Sequence, residues 1–301
     1  MRYYYTSIAA LFKYVLLLYA LNLSLSADAA LVVTVTTKKN STVEQALSAI
    51  RTKLPELAPN TKVVSVDETQ ANQRPALLLT LGSKAIKIAQ QQFPNVPILA
   101  CLIRDEKTLN AYPNASGIVM RHSIEQQLYW FDRMLPSAKK IGILYSPKHN
   151  EQQVALIEKA AKLRKLKVVK TPVNNAQGLP SALKAIKRNT DSILALPDPI
   201  VYSSKTAKGV LLFSFRNKIP LVGLSKIWVK AGALYALDWD YQQLGEQCAV
   251  EAAKLLSGQK KDKLNSTTAA MSRYVINLRT AKAMQLTIDQ SLIDGASVVF
   301  K

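Results

Sequence analysis

Short apolar runs rich in β-branched residues alternate with amphipathic segments from Leu31 to Val222, and this alternation leaves few folds open. The run ALLLTL at residues 76–81 is apolar without alternation, as a strand covered on both faces requires. Strands are predicted at residues 31–36, 63–66, 76–81 and 96–102, with an extended piece at 118–120. Helices are predicted at 41–54, where Ser41 and Glu44 have capping-box spacing, at 83–92, where Ser83 caps after Gly82, and at 124–134. After Pro136 the cycle restarts, with strands at 141–145, 167–171, 192–196 and 219–222 and helices at 151–164, 179–188 and 203–217. Strand–helix–strand units in series, each with a right-handed crossover, predict an α/β chain of two doubly wound, Rossmann-like parallel-sheet lobes.

The first 29 residues read as an export signal rather than as part of the fold. Arg2 gives a positive start, residues 8–25 are largely apolar with Lys13 interrupting, and Ala27-Asp28-Ala29 has the small-x-small form of a cleavage site. The apolar run after Lys13 is shorter than the roughly 20 residues of a spanning helix, and no cysteine lies nearby for a lipid anchor. The periplasm of a Gram-negative cell is the expected location. About 270 residues then remain, more than one core usually holds, so two lobes are expected.

The formal charge of +20 becomes +19 once Arg2, Lys13 and Asp28 leave, two positive charges and one negative. Lys159, Lys162, Lys165 and Lys167 spread that charge over helix faces, without the aromatic interleaving of a nucleic-acid platform. No nucleic-acid partner is expected, and the basic balance fits solvated helices or an anionic membrane surface. The two histidines, His122 and His149, lack partners at ligand spacing, so neither a metal nor a cofactor is expected. Cys101 and Cys248 read as two separate buried thiols, with a disulfide in the oxidising compartment as the alternative. No G-x-S-x-G elbow, P-loop or nucleotide fingerprint occurs, so the chain reads as a binder and not an enzyme.

One stretch says more than the alternation does. IPLVGLSKIWVKAGALYALDWDYQQLG, residues 219–245, joins a strand, a turn, a short helix and a second strand to a new helix. With PSAKKIGILY at 136–145 and YVINLRTAKAMQLTI at 274–288, it resembles the periplasmic substrate-binding proteins of ABC transporters. The resemblance is to the type I family that includes tryptophan- and phenylalanine-binding members, and it covers most of the chain after residue 75. It implies two lobes joined by a three-crossing hinge, divided as 30–135 plus 242–270 and 136–241 plus 271–301. It also implies a monomer that closes on a small-molecule ligand and delivers it to an inner-membrane ABC permease. The same fold serves the alternative, a subunit presenting its ligand to a membrane sensor protein.

Ligands of open parallel sheets bind outside the carboxyl ends of the strands, which selects five loops. Gly82 and Ser83 open a helix whose free N–H groups favour an anion, and they resemble the family's carboxylate-binding turn. Tyr145 and Ser146, with His149 and Asn150 following, resemble the loop supplying hydroxyl or aromatic contacts from the other lobe; for His149 a surface turn is the favoured reading. Asp198 survives from a Pro-x-Asp-Asn-Thr-like loop as a candidate partner for a ligand ammonium, but Pro199 and Ile200 replace its polar pair. Ser225 and Trp228 form the fourth loop. Trp239 and Asp240 lie at the hinge, where Trp239 reads equally as a stacking surface or as hinge packing, and Asp240 chiefly as the cap of the next helix.

Overall fold

In a computed structural model describing residues 29–37, 40–70, 72–258 and 272–301, the alternating runs form two separate sheets. The export signal read in residues 1–29 lies outside the described residues except for Ala29. The elements of the first half are β1 (Ala30–Thr36), α1 (Ser41–Leu57), β2 (Thr61–Ser65), β3 (Leu77–Leu81), α2 (Ser83–Gln92), β4 (Ile98–Ile103), α3 (Lys107–Asn110), β5 (Ala115–Val119) and α4 (Ile124–Met134). Then come β6 (Lys140–Tyr145), α5 (Pro147–Leu163), β7 (Lys167–Pro172), α6 (Leu179–Lys187), β8 (Ser192–Leu194), α7 (Ala207–Asn217), β9 (Leu221–Val222), α8 (Lys226–Lys230) and β10 (Tyr235–Trp239). The chain closes with α9 (Tyr241–Leu256), β11 (Ser272–Asn277), α10 (Leu278–Ala283), α11 (Gln290–Asp294) and β12 (Val298–Phe300).

The five-stranded sheet has the order β2-β1-β3-β4-β5, and every pairing in it is parallel. Strand periodicity sends alternate residues to opposite faces, and both faces are covered. Val32, Leu77, Leu79, Leu99 and Cys101 meet α1 and α9, whereas Val33, Val35, Leu78, Ile98 and Ala100 meet α2. That two-sided burial is why ALLLTL shows no alternation. The contact of α1 with α9 is close: a Cβ on Gly245 would run into the Ala46 carbonyl oxygen and the Ala49 side chain.

The seven-stranded sheet has the order β12-β11-β10-β9-β8-β6-β7. One pair departs from the all-parallel expectation: β10 and β11 run antiparallel, with Trp239 opposite Ser272. The cause is topological. The chain leaves this sheet at the carboxyl end of β10, adds α9 to the first lobe, and re-enters beside the point where it left, so it must run the other way. The expected boundary at residue 135 also shifts. Leu128, Phe131 and Met134 of α4 pack with Ile141, Ile143 and Tyr145, in the core of the second sheet.

Local signals explain most helix boundaries. Asn40, not Ser41, caps α1, accepting from Val43 N–H at 3.0 Å. The predicted stop before Pro55 is overrun, and α1 continues through that proline to Leu57. Gly82, at φ +93°, is the residue before α2, so Ser83 is the first helical residue and not the cap. The predicted start of α7 at Ser203 moves to Ala207.

Cys101 on β4 and Cys248 on α9 form a disulfide, with Cα atoms 6.4 Å apart and a sequence separation of 147. The favoured reading of two thiols fails because the residues face each other across the same core, which the spacing in sequence does not reveal. Constraining so long a loop in the unfolded chain stabilises the fold by about 5 kcal/mol on chain-entropy grounds, and removing native disulfides usually costs about 2–5 kcal/mol. The Cys101→Ser/Cys248→Ser double variant should therefore lose stability in that range in urea titration. The same loss should appear when the wild type is unfolded under reductant.

Candidate ligand site

The carboxyl ends of β3, β6, β8, β9 and β10 carry the nine residues singled out by the sequence. Gly82 and Ser83 lie on the first lobe. At Gly82 a side chain would meet open space, so the glycine answers to its left-handed backbone and not to crowding. Its N–H donates to the Cys101 carbonyl at 2.8 Å, fixing the turn against β4. Ser83 is half-buried at the start of α2, and no side-chain cap satisfies that helix start. An anion would meet uncapped N–H groups and a hydroxyl here.

On the second lobe, Ser146 and Asp198 come together through a hydrogen bond between the two loops. Asp198 Oδ2 accepts from Ser146 N–H at 2.7 Å and from Asn150 Nδ2 at 2.8 Å. Its Oδ1 accepts from Ile200 N–H at 2.9 Å and Val201 N–H at 3.0 Å. A carboxylate has about four lone-pair directions, and protein donors fill them all. Asp198 is only 4% exposed. Burial alone raises the pKa of its carboxyl; the donors, led by the Ser146 and Val201 amides, more than reverse this and hold it below the usual carboxylate range. In this structure the expected ammonium partner ties the β6 and β8 loops together. Because it grips Ile200 and Val201, it also holds residues 198–202 in a turn and delays α7.

Tyr145 differs from expectation too. Its side chain lies in the α4/α5 core, 5% exposed, with the hydroxyl 3.5 Å from Glu151 Oε1. Burial, then the Glu151 carboxylate, raises its pKa. The Ser146 hydroxyl is 2.9 Å from His149 Nδ1, so that exposed histidine braces the turn. Ser225 precedes α8 without a side-chain cap bond. Trp228 is half-buried and meets Tyr202 edge-on, with centroids 5.7 Å apart at 76°. Burial pushes the Tyr202 phenol well up, and its hydroxyl has no hydrogen-bond partner among the described residues.

At the hinge, Trp239 stacks flat on His122, with centroids 3.9 Å apart and planes 7° from parallel. Trp239 ends β10 of the second sheet, yet its side chain packs on the core of the first. His122 lies on the passage from β5 to α4. Asp240 caps α9 through Gln242 and Gln243 N–H and pairs with Arg273 on β11. Hinge packing thus accounts for Trp239 and Asp240 as they stand. Nothing in the sequence marks His122 or Arg273 as their partners, because one residue comes from another crossing and the other follows residues 259–271. Burial depresses the His122 pKa to about 4, so its ring is neutral at pH 7. Among the described residues, no group of three or more His, Cys, Asp or Glu is placed to hold a metal ion. No helix among them is long and apolar enough to cross a membrane.

The family model for ABC transporter substrate binding proteins matches residues 62–299. The chain is 25% identical over 219 residues to the tyrosine-binding protein of Clostridioides difficile strain R20291, covering 70% of this chain and 63% of that protein. It thus spans less than two thirds of the length of the curated relatives it matches. A ligand-free, open substrate-binding protein with adhesive properties from Clostridium difficile superposes with TM-score 0.71 at 18% identity, over 90% of this chain and 99% of that one. An ABC domain from Streptococcus pneumonia in complex with L-Trp gives 0.57 at 19% identity, over 90% and 99%. At these identities the two structures share the fold.

Two substitutions test this geometry. Asp198→Ala leaves three loop backbone N–H groups, of Ser146, Ile200 and Val201, without an acceptor, while Asn150 keeps its bond to the Pro197 carbonyl, and should cost about 3 kcal/mol or more in urea unfolding. For His122 the folded pKa lies below the unfolded value near 6.5, so its contribution is complete above pH 6.5 and is lost as pH falls toward 4. Between pH 7 and 4 the wild type should lose about 3 kcal/mol more than His122→Gln. Parallel stability curves for the two proteins would contradict the buried, neutral ring.

Proposed function

The chain belongs to the ABC transporter substrate-binding protein family, and from that premise we propose that it is a periplasmic solute receptor. It closes on a small aromatic or carboxylate-bearing ligand between its lobes and delivers it to an inner-membrane ABC permease. The observation that carries this reading is the hinge, where residues of separate chain crossings interlock between two independently cored sheets. Such a joint allows the lobes to rotate as bodies about a few residues. Closure would bring the Gly82–Ser83 turn toward the loops after β8 and β9. An anionic group would then meet the start of α2, and the edge-on pair Tyr202–Trp228 would offer apolar and aromatic surface nearby.

An aromatic amino acid is the ligand suggested by the tyrosine-binding relative and the L-Trp complex. Asp198 qualifies that choice, since its carboxylate is engaged by the protein. An ammonium would need another acceptor. A thermal-shift panel of aromatic amino acids, aromatic acids and unrelated solutes tests the reading. A true ligand at 100-fold above its Kd should stabilise the protein by about 2.7 kcal/mol. A shift with sugars or metals and none with amino or aromatic acids would overturn the ligand class.

A further inference from the structure

The positive charge of the chain is unevenly shared. Residues 136–241, just over a third of the chain, hold eighteen lysines and arginines against six aspartates and glutamates, a net +12 of the total +20. Part of that excess gathers at the amino ends of β6 and β7, opposite the strand ends that carry the ligand loops. Lys140 of β6 pairs in register with Lys167 of β7, and the Lys167 N–H donates to the Lys139 carbonyl at 2.8 Å. Helix α5 closes over the same corner, where Leu166 N–H donates to the Ala161 carbonyl at 3.0 Å and Lys165 N–H to the Lys162 carbonyl at 3.1 Å. On the other side Asp191 N–H donates to the Lys140 carbonyl at 3.0 Å, three residues after Arg188 caps α6. Lys139, Lys140, Lys162, Lys165, Lys167 and Arg188 are all exposed.

The carboxylates nearby are engaged elsewhere. Asp191 Oδ2 accepts from the Lys139 and Lys140 N–H groups at 2.8 and 2.9 Å, Asp132 pairs with Arg164 at 2.7 Å, and Glu158 pairs with Lys170 at 2.8 Å. None of the six cations shares in those ion pairs. Cations at a helix C-terminus offset the backbone dipole, which is the ordinary reason for Lys162. That reason does not reach Lys139, Lys140 and Lys167, which stand at strand starts. Nor does it explain the backbone of Lys165, which sits at φ +58° in the left-handed closing position that favours glycine; Lys218 ends α7 likewise at φ +52°.

The apolar residues of this corner say what meets the charge. Helix α5 turns Val154, Ile157 and Ala161 inward, and its outer line carries Leu156, Lys159 and Leu163. Leu156 is 58% exposed and Leu163, between the lysines at 162 and 165, is 84% exposed. A phosphodiester backbone would satisfy the lysines but gives a leucine nothing, and residues 159–170 include no aromatic ring on which a base could stack. A lipid headgroup layer offers phosphates to the cations and the acyl boundary to the leucine.

We propose that this corner docks the protein on an anionic phospholipid bilayer, with Leu163 entering the headgroup layer. The ligand loops then point away from the lipid, so the contact holds the protein at the surface without covering the cleft, and it does not depend on which solute the cleft takes. Sedimentation of the chain, as recovered from the host periplasm, with phosphatidylcholine vesicles containing no or about one third phosphatidylglycerol tests this. Binding should be roughly 10-fold or more stronger to the anionic vesicles and should fall as salt rises to about 0.5 M. Lys162→Gln/Lys165→Gln/Lys167→Gln should weaken it roughly 30-fold or more. Lys62→Gln/Lys87→Gln/Lys107→Gln, which removes the same charge from exposed positions of the first lobe, should weaken it less than about 3-fold. Leu163→Ser, at unchanged charge, should weaken it roughly 3-fold or more. All these positions are exposed, so each variant should keep the wild-type melting temperature and a loss reads the surface. Equal losses in the two triple variants would reduce the effect to net charge and overturn the corner. Equal binding to neutral vesicles, unchanged binding of Leu163→Ser, or tighter binding of duplex DNA than of anionic vesicles would overturn the bilayer as its occupant.

Discussion

The stack of His122 on Trp239 is the contact on which the relation between the lobes depends. Each sheet is buried on both faces by its own helices, so neither needs the other for a core. What remains to relate them is the chain itself, which passes between lobes after Val119, after Trp239 and again before Ser272. His122 and Trp239 tie the first passage to the second, and Asp240 with Arg273 ties the second to the third. A flat ring contact resists separation but permits sliding and rotation in its plane. The ion pair, with Arg273 55% exposed, is screened by water and contributes position more than energy.

Away from the hinge, the second lobe spends its most conspicuous polar residue on architecture. Asp198 fastens the β8 loop to the first turn of α5 through Ser146 and Asn150. The loop's outer surface is thereby set free to be apolar, which is where Pro199 and Ile200 stand. On the first lobe the logic differs: the turn at Gly82 is fixed by backbone alone, through its bond to the Cys101 carbonyl, and leaves the start of α2 uncapped. The two lobes thus offer unlike surfaces, one a helix start without a side-chain cap and one an apolar wall.

Much of the architecture was legible because burial leaves a periodic trace. Strands covered on both faces read as unbroken apolar runs, and the helices between them kept their amphipathic period. The family-like stretches were legible for a local reason as well: Asn277 Nδ2 donates to the Val229 carbonyl at 2.8 Å and Thr280 Oγ1 to the Gly232 carbonyl at 3.1 Å, so the tail and the 219–245 segment specify each other. The site was less legible. A residue type at a strand end says that a side chain is near the right edge, not which way it faces. Tyr145 points into a core, and Asp198 is claimed by amides whose positions no side-chain pattern encodes. The reversal of β11 and the transfer of α4 to the second lobe come from the route of the chain, which periodicity does not record.

The bond between Cys101 and Cys248 fastens β4 to a helix made only after the chain has built most of the other lobe. The first lobe therefore has all its strands by residue 119 but lacks the cover of α9 until synthesis has passed residue 256. During that interval one apolar face of its sheet is covered by α1 but not by α9. Once the bond has formed, a protease cut anywhere between the two cysteines opens the chain without releasing either fragment. The part of the second lobe from α4 to β10 is held inside a covalent ring whose clasp lies in the first, while β11 and β12 stand outside it.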